Sequence, residues 1–328
     1  MGDIERVLRN YGAMVDRAAR QWLEGIPTEY LAEPLRYHLG SGGKRLRPAL
    51  CLHVCEQLGG SIDQAVPFAL AVEILHNMFL IHDDIEDGDT MRRDEPAAWV
   101  KFGVPNALNA GDYLLAAAVQ LALQGELPPE LKLRLASLLV GTALRTIEGQ
   151  ALDINLRAAA EFSVDDYLRI ARLKTGRYLV LGMAGAAVIC GAPEAVVDQL
   201  WALGDLLGPA FQIRDDIIDL TQGKGRGGEI GCDIREGKPS ILYAYALQHA
   251  GAAERERLIA VMAARREETS AADVGWVIDL YERLGAIEFA RRYADERLAK
   301  AKDIIAKLPL SQRETLGRLT DYLIGRTT

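Results

Sequence analysis

The stretch from Val66 to Ile81 constrains the fold of this 328-residue chain more than any other. It is apolar on nearly every face of a helix, which predicts a helix in the middle of a bundle, not on its surface. Val196 to Leu220 reads the same way, and Pro209 after Gly208 predicts a kink in it. Elsewhere apolar residues recur at three- and four-residue spacing, the period of a helix, with almost no alternating β-branched runs. Ser163-x-x-Asp166, Ser270-x-x-Asp273 and Ser311-x-x-Glu314 each precede an apolar-periodic segment and predict capping boxes. Breaks such as Gly40–Gly43, Arg92–Pro96 and Gly223–Gly231 have neither the length nor the composition of an interdomain linker. The expected fold is all-α, a single large domain over residues 1–328.

Composition removes several function classes. A net charge of −8 argues against a general nucleic-acid binder, whose footprint is basic. Cys51, Cys55, Cys190 and Cys232 form no C-x-x-C pair and fit no zinc spacing. Cys51 and Cys55, one turn apart in an apolar stretch, read as small buried hydrophobes in a reducing cytoplasm. The first residues lack the basic flank and apolar run of a secretory signal, and Arg6 stands where myristoylation needs Ser or Thr. The most apolar run, Tyr178 to Gly191, is too short for a membrane span, so none is expected.

Both apolar helices end in carboxylates, Asp83-Asp84-Ile85-Glu86-Asp87 and Asp215-Asp216-Ile217-Ile218-Asp219. Residues four apart share a helix face, so Asp83 pairs with Asp87 and Asp215 with Asp219. Like charges at that spacing, near the negative end of the helix dipole, are unfavourable unless cations neutralise them. The donors are all oxygen, with no His or Cys at ligand spacing, which suits Mg²⁺ completed by water and phosphate oxygens. One such cluster alone would read as a solvated helix end; two with identical spacing point to metal. An EF-hand is excluded because its Gly and distal Glu are missing.

Basic residues fall close to these clusters in the sequence: Lys44, Arg45 and Arg47 after Gly42-Gly43, then Arg92-Arg93, Lys174 and Arg177, and Lys224, Arg226 and Lys238. Arginine forks and lysine point charges suit phosphate oxygens, and together with hard cations they describe a diphosphate site. Gly42-Gly43-Lys44 lacks the spacing of a nucleotide P-loop. His76 by itself would read as a core histidine.

The order Gly42-Gly43-Lys44-Arg45-Leu46-Arg47-Pro48, His76, Asp83-Asp84-x-x-Asp87, Arg92-Arg93, Gly149-Gln150, Lys174-Thr175, Phe211-Gln212-x-x-Asp215-Asp216-x-x-Asp219 and Gly237-Lys238 resembles the trans-isoprenyl diphosphate synthases. The resemblance implies a helical bundle around a deep central cavity, a homodimer, and head-to-tail condensation of isopentenyl diphosphate with an allylic diphosphate (dimethylallyl, geranyl or farnesyl). It implies Mg²⁺ as cofactor, three ions when substrate is bound, held by Asp83, Asp87, Asp215 and Asp219, with Asp84 supporting. It further implies that Arg92, Lys174, Thr175, Gln212 and Lys238 hold the allylic diphosphate, and Lys44, Arg47, His76 and Arg93 isopentenyl diphosphate. Met78 and Phe79, five and four positions before the first cluster, would floor the pocket for the growing tail. One Phe and one thinner Met there imply a twenty-carbon geranylgeranyl product, with fifteen-carbon farnesyl next. A terpene cyclase would not need the Lys44, Arg47 and Arg93 set, and a non-catalytic subunit of a heteromeric synthase tends to lose one cluster. Two departures stand out: Glu229 where many relatives carry Lys, and Asp94-Glu95-Pro96 where Gly-x-Pro is common.

Overall fold

A computed structural model describes residues 3–26, 28–157, 159–221, 230–311 and 313–324. Lys224, Arg226 and Glu229, singled out above, lie outside the described residues. The expectation of an all-α chain is met, and the chain divides into two compact units.

The first unit comprises residues 1–143, 179–201 and 308–316. It opens with α1 (Asp3–Glu24), α2 (Glu29–Gly40), α3 (Leu46–Gln57) and α4 (Ile62–Glu86). Two-residue strands β1 (Met91–Arg92) and β2 (Glu95–Pro96), then α5 (Ala98–Phe102), α6 (Val104–Ala122) and the start of α7 (Pro129–Asn155), follow. Helix α4 is the centre, packed by α3 and α6, with buried side chains on all its faces from Ala65 to Asp84. By length and composition it is also the one helix among the described residues that could cross a membrane. The apolar run Tyr178–Gly191 is shorter, whereas α4 spreads its few polar residues thinly along a longer helix. In the most apolar window of α4, 72% of the residues are buried inside the protein, as a core helix requires.

The break at Arg92–Pro96 is a small antiparallel hairpin, Met91 opposite Pro96 and Arg92 opposite Glu95. Its two turn residues, Arg93 and Asp94, both have positive φ (54° and 65°), the backbone of a tight primed hairpin turn. Neither is glycine, so sequence alone carries no hairpin signal.

The second unit comprises residues 144–178, 202–307 and 317–328. Helix α8 (Val164–Ala171) passes into a five-residue π-turn, Arg172–Gly176, before α9 (Arg177–Ile189) begins. The rest of the chain forms α10 (Glu194–Thr221), α11 (Cys232–Arg235), α12 (Ile241–His249), α13 (Ala252–Ala263), α14 (Ala271–Arg283), α15 (Ala286–Lys307) and α16 (Arg313–Ile324). Helix α10 runs unbroken through Pro209. Capping boxes form at Ser163 and Ser270. The Ser311 hydroxyl donates to the Gln57 side-chain oxygen, and the residue that follows it lies outside the described residues.

Candidate active site

Helix α4 carries two polar lines that the three- and four-residue spacing keeps apart. Glu73, Asn77 and Asp84 form one line, buried to 3% exposure or less. His76, Asp83 and Asp87 form the other and are partly exposed. The buried line is held by the protein itself. Arg92 Nε donates to Asp84 Oδ1 at 2.8 Å, and its Nη2 bonds the same oxygen. Burial nevertheless keeps the Asp84 carboxyl above its usual range, against the pull of Arg92. Asp84 and Arg92 are thereby a mutual anchor beneath the open pair Asp83 and Asp87.

Glu73 has a similar partner in Arg45, which N-caps α3 in a left-handed conformation (φ 46°). Arg45 Nη1 lies 2.8 Å from Glu73 Oε1, Nε lies 2.7 Å from Asp16 Oδ1, and Nη2 donates to the Leu39 carbonyl at 2.9 Å. Its Nη1 also donates to the Gly42 carbonyl at 3.1 Å, an oxygen that Arg93 bonds too. Two arginines therefore fix the Gly42-Gly43 loop, and Lys44 stands exposed beside it.

Desolvation by the side chains packed round the half-buried His76, then the charges of Arg47 and Arg93, drive its pKa well below its ordinary value, so the imidazole is neutral at pH 7. The unit thus gathers Arg47, Arg92 and Arg93 near one neutral histidine. His38, on α2, feels the same cluster: burial, helped by Arg93, Arg92 and Arg45, lowers its pKa to about 3. Because the folded value lies below the ordinary value of 6.5, this stabilisation is complete above 6.5 and declines as pH falls toward about 3. Denaturant titration at a series of pH values should show that decline. His38→Gln should flatten it; an unchanged slope would rule out His38 as its source.

In the second unit, the π-turn carries Lys174 and Thr175. Its shape depends on two glycines from other helices. A Cβ at Gly149 would sit 2.5 Å from the Lys174 amide nitrogen, and one at Gly208 2.5 Å from the Gly176 Cα. Backbone meets backbone on both sides, which holds the widened turn in place. Lys174 Nζ lies 2.9 Å from Asp153 Oδ2 on α7. Asp153, Tyr167, Lys174, Gln212, Asp215 and Lys238 are among the residues lining an open cavity of about 100 Å³.

The second cluster repeats the division of labour seen in the first. Asp215 is partly exposed in the cavity wall, whereas Asp216 is 5% exposed. Tyr167 donates to Asp216 Oδ2 at 2.9 Å, and Gln212 Nε2 donates to Oδ1 at 3.2 Å. Asp219 is fully buried and accepts the Asp233 amide at 3.0 Å, so it ties α10 to the start of α11. Lys238 lies 3.0 Å from Glu236, which in turn pairs with Arg266 at 2.7 Å.

Of the residues singled out from sequence, Lys174, Gln212, Asp215 and Lys238 share one cavity, Thr175 is buried in the π-turn, and Asp219 is buried against the start of α11. Arg92 lies with the first cluster, bonded to Asp84. Met78 and Phe79 are buried in α4, 2% and 8% exposed. Sequence reading passes over Glu73, Asp153, Tyr167 and Glu236, and it groups Arg45 with the phosphate-facing basic residues although the side chain turns inward to Glu73 and Asp16. Glu73 has a signal, the one carboxylate in the largely apolar stretch from Val66 to Ile81; Asp153 has one too, four residues after Gly149 and so on its face.

The family described as "Polyprenyl synthetase" matches residues 28–280. The short chain isoprenyl diphosphate synthase of Methanothermobacter thermautotrophicus is 32% identical, with 99% of each chain covered. The geranylgeranyl pyrophosphate synthase of Geoglobus acetivorans is 34% identical over 98% of this chain and 99% of its own. The crystal structure of geranylgeranyl pyrophosphate synthetase from Pyrococcus horikoshii superposes with a TM-score of 0.91 at 29% identity, covering 99% of this chain and 98% of that one. The matched span takes in both aspartate segments, the arginine hairpin and the π-turn, and so accounts for two repeated carboxylate sites set among phosphate-binding residue types: the chain belongs to the polyprenyl synthetase family of prenyltransferases.

Proposed function

We propose that this protein condenses isopentenyl diphosphate with an allylic diphosphate, head to tail, releasing diphosphate and making geranylgeranyl diphosphate. The observation that carries this reading is the cavity in which two lysines, a glutamine and an open aspartate stand together. Cations there match a diphosphate, and the aspartate matches the metal that a diphosphate brings with it.

The donor set fits Mg²⁺. Each cluster presents carboxylate oxygen only, and among the described residues no three His, Cys, Asp or Glu groups converge as an all-protein cage. Mg²⁺ needs no such cage, since one or two carboxylates with water and phosphate oxygens complete its shell. Asp83, Asp87 and Asp215 would hold it, with Asp219 beneath the second cluster and Asp84 and Asp216 keeping each neighbour's geometry. When bound, it supplies charge neutralisation to the leaving diphosphate.

Lys174, Lys238, Gln212 and Thr175 would bind the allylic diphosphate, with Arg92 acting from the first cluster. Lys44, Arg47, Arg93 and the neutral His76 would bind isopentenyl diphosphate. The allylic C1–O bond breaks with its electrons going to oxygen, where Lys174 and Lys238 stabilise the added charge. C4 of isopentenyl diphosphate then bonds to C1, and the proton lost from C2 passes to the departing diphosphate. The lysines thus act on the charge that develops during bond breaking, and the reaction needs no side-chain nucleophile.

Product length is read from α4, where Met78 and Phe79 precede Asp83. Purified protein with Mg²⁺, isopentenyl diphosphate and geranyl or farnesyl diphosphate should give a twenty-carbon alcohol after phosphatase treatment. Phe79→Ala should lengthen it by at least one five-carbon unit. Release of diphosphate without chain growth would replace the reading with a cyclase, and fifteen- or twenty-five-carbon products would replace the assigned length.

A second copy of the chain is the proposed partner. Leu133, Val140, Leu144, Ile147 and Ile154 recur at three- and four-residue-based spacing on α7, and Leu133 and Leu144 are 64% and 59% exposed. An apolar stripe of this period suits a facing helix. Sedimentation of the purified protein as a monomer at micromolar concentration would overturn it.

A further inference from the structure

We propose that Cys55 and Cys190 form a modification site, a thiol pair placed to oxidise to an intrachain disulfide that ties α3 to the end of α9. All four cysteines are free thiols in the structure. Cys51 and Cys55 are buried as the sequence predicts, and Cys55 meets a residue 135 positions away, with 3.6 Å between the two sulfurs. The space they share is made by Gly60. A Cβ there would sit 2.4 Å from the Cys190 sulfur and 2.9 Å from that of Cys55, so any side chain would drive them apart. The two sulfurs fill the space against Gly60, and even an alanine methyl there would displace one of them.

The two thiols differ in access. Cys55 is fully buried, whereas Cys190, just past the last turn of α9, is partly exposed. The hydrogen bond between the sulfurs lowers the Cys190 pKa and raises that of Cys55. Cys190 is therefore the thiol that meets an oxidant, and Cys55 the one that resolves it.

With a small-molecule disulfide as oxidant, the Cys190 thiolate attacks one of its sulfurs and expels the other half as a thiolate. The Cys55 thiol passes its proton to that thiolate and attacks the Cys190 sulfur, and the second half leaves. Two protein thiols become one disulfide and one small disulfide becomes two thiols, so electrons and protons balance. The bond closes a loop 135 residues long, the regime in which a cross-link removes most freedom from the unfolded chain.

The test uses the full chain incubated with oxidised glutathione, then mapped by mass spectrometry without reduction. The expected product is a Cys55–Cys190 linked peptide, with two of the four thiols lost to titration. Its melting temperature should be about 5–10 °C higher, reversed by dithiothreitol. Cys190→Ser should abolish linkage and shift, and Cys232→Ser should keep both. Glutathione stably attached to Cys190 without linkage, a bond to Cys51 or Cys232, or linkage with no thermal shift would each overturn the proposal.

Discussion

Asp83→Asn is expected to lower kcat on the order of 10³-fold, about 4 kcal/mol of transition-state stabilisation, while leaving the fold as stable as before or slightly more so. The two halves of this expectation have separate causes. Asp83 is partly exposed near the end of α4, beside Asp84 and four residues from Asp87, so neutralising it relieves like-charge repulsion near the negative end of the helix dipole. Its contribution to catalysis arises only when a leaving diphosphate and its counter-ions are present. Asp84→Asn should behave in the opposite way. It removes the partner of Arg92 from a fully buried position, so stability falls before any step in turnover is touched. Steady-state rates across a Mg²⁺ series, set beside thermal melts of both variants, separate the cases. A kcat for Asp83→Asn within about tenfold of the parent would remove the first cluster from the chemistry.

Arg45→Met is expected to destabilise the protein by about 3–5 kcal/mol, seen as a melting temperature lower by about 6–15 °C. The Arg45 and Glu73 side chains are 9% and 4% exposed, and removing the guanidinium leaves a buried carboxylate whose pKa is already raised by burial. Replacing both, as Arg45→Met with Glu73→Leu, should recover most of the loss, because the buried charge goes with its partner. Failure of the double variant to recover would mean that the bonds from Arg45 to Leu39, Gly42 and Asp16 dominate over the ion pair. Either outcome bears on substrate binding, since Arg45 anchors the loop that precedes Lys44 and Arg47.

The parts legible in the sequence are those governed by local rules. Spacing along α4 places Asp83 and Asp87 on one face, and the Ser163 and Ser270 boxes follow from four residues each. Arg45 shows where such reading ends. It sits between Lys44 and Arg47 with the same charge, yet its left-handed backbone turns it inward to Glu73, and no local signal announces that turn. The hairpin at Met91–Pro96 is hidden for the same reason, because Arg93 and Asp94 take positive φ without glycine. The π-turn is invisible for another reason: the glycines that clamp it, Gly149 and Gly208, are more than twenty residues away on either side.

The π-turn also sets a rule for insertions and deletions. A widened turn accommodates one residue more than regular α-helix would, so α8 and α9 are out of phase with each other by about 100°. Deleting any one residue from Arg172 to Gly176 would restore a regular ladder of hydrogen bonds and make the local helix more stable by itself. It would also rotate one flank, so that either Tyr167 leaves Asp216 or the buried face of α9, from Leu179 to Ile189, turns outward. The segment between Ser163 and Gly191 is thus a place where a length change of one is worse than most substitutions, and where a relative should carry the extra residue or lack both of its facing glycines.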